Sequence, residues 1–169
     1  MKPEPNPSAA AGPKRMAPGF WLKIPAILAI TFCVVLGLSI RRPDSAALGM
    51  RYLDVARKAL DQKDYPAAIV ASSRLLSFGD PFRNEALFKL ALGHQGLGQT
   101  ADASNVLAMV APSDKPVYAP AHLFVARALI ARGSRSREVE DLIAAQLRNV
   151  LALEPDSAEA KELLSHYQR

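Results

Sequence analysis

A pattern of small residues recurs every 35 residues and limits this chain to few architectures. Behind Tyr52, Leu87 and His122 stand Val55–Ala56, Leu90–Ala91 and Val125–Ala126, each pair at the same offset. The first two stretches continue into Asp64–Tyr65–Pro66–Ala67–Ala68 and Thr100–Ala101–Asp102–Ala103, and each unit ends near a proline, Pro81, Pro116 or Pro155. A period of this length with helical spacing inside it predicts a stacked array of helices. Arrays of this kind usually serve as platforms for other proteins.

Residues 1–19 are rich in Pro, Ala and Gly, with almost nothing to bury, and are expected to be a disordered tail. Beyond Pro43 the chain punctuates itself into helices. The first is expected over about 46–62, with Met50, Leu53, Val55, Ala56 and Leu60 at helical spacing and Asp44 or Ser45 as its cap. A second runs from Asp64–Tyr65–Pro66, where proline suits the first helical turn, to about 76 or 77, before Gly79–Asp80–Pro81. The next pair is placed at about 81–97 and 100–110, and the third at about 116–131 and 138–153. Pro120 implies a late start for the first helix of that third pair. Glu138, Glu140 and Asp141 suit the positive end of the helix that follows. Asp156 or Ser157 should cap a last helix reaching about 166.

Ahead of this region, 20–40 reads FWLKIPAILAITFCVVLGLSI, with no charge from Ile24 to Ile40. As a helix it would reach about 31 Å, enough for a hydrocarbon core. Lys23 is close enough to one end to snorkel, Trp21 suits an interface, and Arg41–Arg42 end the run. The favoured reading is a retained transmembrane helix over 20–42. A cleaved signal with Gly37–Leu38–Ser39 at the cleavage site, or a buried helix, are the alternatives. The net charge of +5 lies wholly in residues 1–42, whereas 43–169 carry 15 charges of each sign. The excess therefore belongs to a membrane flank and not to a nucleic-acid-binding face. Lys14–Arg15 favour a cytoplasmic N-terminus, which would set the repeats on the non-cytoplasmic side. The single cysteine, Cys33, leaves the folded part without a disulfide.

These residues resemble the tetratricopeptide-repeat family over about 46–169. In that family the first helix of each unit carries a bulky residue, then a large–small pair, then another bulky side chain. Tyr52, Val55–Ala56 and Ala59 match with a weak last position. Leu87, Leu90–Ala91 and His94 match the second unit, and His122, Val125–Ala126 and Leu129 the third. Asp64–Tyr65 with Ala68, and Gly98, Thr100 and Ala103, fit the start of the second helix. The third unit departs, with about four extra residues in its turn and Ile143 where alanine is expected. The resemblance implies an all-α chain: an N-terminal transmembrane helix, then an α-solenoid of about three helical hairpins closed by a C-terminal helix. Small residues at 56, 91, 126, 68 and 103 would let paired helices approach to about 8–9 Å.

The resemblance further implies a concave groove for a protein or peptide. Its inward positions fall on Met50, Leu53 and Arg57, then Phe88, Leu92 and Gln95, then Leu123, Arg127 and Ile130. The family's clamp for a terminal carboxylate is not reproduced, since the matching positions hold Leu53, Arg57, Lys89 and Leu123. An apolar or amphipathic guest is expected instead. The plain alternative is that these side chains pack against the chain's own tail or last helix. His94, His122 and His166 have no ligand spacing for a metal, no serine sits in a nucleophile elbow, and no glycine loop suits a phosphate. Neither catalysis nor a cofactor is expected. The turn holding Arg132, Arg135 and Arg137 is either solvated charge or a contact for phosphates or an acidic partner. The expected function is a single-pass, membrane-anchored adaptor; the alternative is a permanent structural subunit of a larger membrane complex.

Overall fold

The computed structural model describes residues 45–133 and 136–167, and every regular element among them is an α-helix. The expected tail, the apolar segment at 20–42, the candidate cap Asp44 and the turn residue Arg135 lie outside the described residues. Among the described residues no helix is long and apolar enough to cross a membrane.

Helix α1 spans Ser45–Asp61 and α2 Tyr65–Leu76; α3 spans Arg83–Gly96 and α4 Thr100–Val110. Helix α5 spans Ala119–Arg132, α6 Arg137–Leu153 and α7 Ala158–Ser165. Consecutive helices pack as hairpins, α1 on α2, α3 on α4 and α5 on α6, with α7 closing on α6. The order is that of an α-solenoid.

Local chemistry sets the ends. Asp64 caps α2 by accepting the Ala67 amide at 3.2 Å. Of the two caps expected for the last helix, Ser157 takes the role, its hydroxyl accepting from the Ala160 amide at 3.4 Å. Ser136 does the same for α6 through Val139 at 3.4 Å. The late start implied by Pro120 is found: α5 begins at Ala119, with proline in its first turn, where a missing N–H costs nothing. Gly133 ends α5 in the left-handed region, at a φ of 68°, a conformation that glycine takes without strain.

Ala56, Ala91 and Ala126 have no exposed surface, and Ala68 is equally buried. At these places two helix backbones meet without bulk between them. In the third hairpin the small contact falls one residue later than expected: Ile143 is buried as a core side chain and Ala144 beside it is 3 % exposed. The core has three parts. Leu53, Leu75, Phe82 and Ala86 join α1, α2 and the start of α3. Leu87, Val110, Ala111 and Ala121 join the second hairpin to α5, and Ile143, Leu147, Val150 and Leu164 lead the third. Burying a side chain such as Leu75 or Leu147 contributes about 1.5–3 kcal/mol. Helix α7 buries Ala160 and Leu164 and leaves Lys161, Glu162 and Ser165 in water, as a terminal cap requires.

Candidate binding groove

The hairpins do not stack evenly. At the first junction α3 lies along α2, with the Ile69 side chain against Gly93 and the Tyr65 ring against Gly96. A large residue on one helix meets a glycine on the other, and the junction closes. Thirty-five residues on, Thr100 and Ser104 replace Tyr65 and Ile69, while Ala128 and Ala131 replace the two glycines. Small residues then face small residues, and α5 makes only slight contact with α4. The connector is also longer, 111–118 against 77–82 at the first junction.

What remains between the helices is an apolar groove of about 450 Å³. One wall is the α4 face formed by Ser104, Leu107, Ala108 and the following Ala111, spaced as one side of a helix. The other is α5, through Phe124, Val125, Ala128 and Leu129. Leu142 and Gln146 of α6 complete the lining, and Pro112 to Asp114 of the connector close one side. Arg132 and Asp114 are its charged residues, both exposed. The volume falls within the range of about 300–1,000 Å³ usual for binding pockets.

A polar chain braces this groove. His122, with no exposed surface, accepts the Val117 amide at Nε2, 3.1 Å away. Its other nitrogen therefore carries the proton, and Nδ1 donates to Gln146 Oε1 at 2.6 Å. Gln146, 2 % exposed, donates in turn to the carbonyl of Ala111 at 3.2 Å. Asn149 adds hydrogen bonds to the carbonyls of Pro112 and Ser113 at 3.2 and 3.3 Å. Helices α5 and α6 thus hold the connector by its backbone. Burial keeps the His122 imidazole below its usual range, opposed in part by the bond to Gln146.

The nine residues expected along a concave groove are not gathered into this one. Leu53 is 3 % exposed and belongs to the first core cluster, so it presents no surface to a guest. Its place follows from the register: Leu53 stands three residues before Ala56, on the side of α1 that meets α2 and α3. Met50 is 48 % exposed, and Gln95 is also exposed. Arg57 reaches across to Glu85 at 2.8 Å, and Lys89 approaches the same carboxylate at 3.8 Å. The Glu85 hydrogen bond raises the Arg57 guanidinium, while burial lowers the Lys89 ammonium.

Phe88 is half-buried against Tyr118 and Phe124, with ring centroids 5.8 and 5.7 Å away. Leu92 is half-buried as well. Leu123 and Ile130 pack on the third-hairpin core, and Arg127 pairs with Glu159 of α7, its Nε donating at 2.6 Å. His94 shares a hydrogen bond of 2.7 Å with Gln99. Among the described residues no cluster of His, Cys, Asp and Glu is arranged to hold a metal ion.

The α4 wall of the groove escapes the sequence pattern, because that pattern marks inward positions on the first helix of each hairpin only. The signal present in the chain is the loss of bulk at 100 and 104 without compensating bulk at 128 and 131. No protein-family model matches the chain, and no curated protein matches it.

Proposed function

We propose that the chain is a membrane-anchored adaptor of tetratricopeptide-repeat type whose guest is an amphipathic helix of a partner protein. The observation that carries this reading is the groove between α4 and α5. Its α4 wall, through Ser104, corresponds in register to the α2 face that α3 covers at Ile69 in the first junction. A helix therefore has the shape that completes the packing, and apolar side chains at i, i+3, i+4 and i+7 would interleave with Leu107, Leu129 and Leu142. The 35-residue register of buried alanines supports the family reading. The uncharged run at 24–40 supports the anchor, and the flanking charges favour repeats on the non-cytoplasmic side.

Two substitutions test the groove without entering the core. Ala108→Glu places a charge on its wall, and Ser104→Ile restores at the second junction the side chain that fills the first. Both positions are exposed, so the folded chain should persist. Crosslinking and pull-down of the full chain from its own membranes should lose the same partner in both variants, with unchanged circular dichroism. Capture of an identical set of proteins by both folded variants would sink the reading. A large particle that neither variant dissociates would point to a permanent subunit instead.

A further inference from the structure

His122 occupies a place that the preceding hairpin fills with a hydrocarbon. Thirty-five residues earlier the same register holds Leu87, 6 % exposed in the second core cluster. Burying imidazole there is tolerable only because both ring nitrogens are satisfied, one by Val117 and the other by Gln146. Gln146 and Ala111, the next two members of the chain, both line the groove. The ring thus links a proton-binding atom to the groove wall through a continuous set of hydrogen bonds.

We propose that His122 is a proton-operated latch: a proton taken from solvent at Nε2 removes the acceptor that holds Val117 and frees the connector that walls the groove. In the protonated ring both nitrogens are donors, so Nε2–H would confront the Val117 N–H at a separation made for a hydrogen bond. The connector carries charged or titratable groups at Asp114, Lys115 and Tyr118. Asp102 stands on α4, Arg127 and Arg132 on α5, and Arg137, Glu138, Glu140, Asp141 and Arg148 on α6. Burial lowers the ring's ionisation, opposed by the hydrogen bond to Gln146.

The direction follows from linkage. With the latch open, His122 is hydrated and titrates near the ordinary value of about 6.5; latched, it titrates lower. The open form therefore binds more protons, and acid favours it. Opening should increase by up to about tenfold per pH unit below about 6.5, ceasing to grow once the latched ring itself is protonated. Release of a guest helix by acid rests on the groove being a binding site; the latch itself does not.

The test uses the full chain with nitrogen-15-labelled histidine in detergent micelles, followed by NMR from pH 7.5 to 4.5. A blocked histidine peptide in the same buffer supplies the reference. His122 should show the neutral Nδ1–H tautomer at pH 7.5 and titrate below that peptide. Exchange of the Val117 amide, corrected for the pH dependence of intrinsic exchange, should accelerate in step. An Nε2–H tautomer, a ring titrating with or above the blocked peptide, or Val117 protection that ignores pH would overturn the proposal. In His122→Leu, which copies the side chain of Leu87 into this register, the acid sensitivity of residues 111–118 should vanish; its persistence in the folded variant would also overturn it. Because no partner enters these measurements, their failure is distinct from failure of the groove reading.

Discussion

The two junctions between hairpins share a register but end in opposite states. At the first, Tyr65 and Ile69 press on Gly96 and Gly93, and α3 closes over α2. At the second, both sides carry small residues and α5 stands off α4. Solenoid junctions are sums of nearest-neighbour contacts, so a deficit of side-chain volume at one of them opens a local gap without unravelling the stack. The second hairpin remains tied to α5 at one end, where Val110 and Ala111 meet Ala121 and Phe88 meets Phe124.

Reciprocal exchange across the two junctions should have the largest effect. Ile69→Ser removes a side chain from the closed junction and is expected to cost about 2–3 kcal/mol in urea unfolding, near the low end for core truncations. Ser104→Ile at the open junction should instead leave stability unchanged or raise it by up to about 1 kcal/mol, because the added methylenes enter existing space. Equal losses for both would mean that the second junction is as closed as the first.

A smaller contrast concerns Ser72, the closed-junction counterpart of Leu107. Its hydroxyl is fully buried and has no hydrogen-bond partner. Ser72→Ala should raise stability by about 1 kcal/mol, since an unmet buried polar group costs about 1–3 kcal/mol. No change in the unfolding midpoint would indicate that Ser72 is solvated in solution.

The junctions should also part company with pH. The open one depends on His122, held neutral by burial, so its protection should fall as pH drops below about 6.5. Hydrogen exchange resolved by segment should show residues 111–118 loosening before 77–82. Simultaneous loosening would remove the contrast. The smallest effect belongs to Arg127→Ala, which breaks an exposed pair with Glu159 and should cost about 0.2–1 kcal/mol by thermal denaturation.

Much of the frame was legible in the chain. Prolines and caps marked helix ends, Pro120 signalled the delayed α5, and the alanines at 56, 91 and 126 located the helix contacts. These features act within one or two turns, where backbone sterics and hydrogen bonding dominate. The inward side of the array was harder. Leu53 and Met50 are one helical turn apart, yet one is buried and the other is 48 % exposed. Periodicity gives a face but not what covers it.

Sequence alone determined that the described part of this chain would be helical, where those helices begin and end, and that residues 43–169 carry no net charge, because those properties depend on local geometry and counting. Only the tertiary structure decided that His122 would be a buried acceptor, that Gln146 would span from α6 to Ala111, and that α4 would keep an open face. The bonds from His122 to Gln146 and from Gln146 to Ala111 join residues 24 and 35 positions apart. Local preference has no knowledge of them until the hairpins pack.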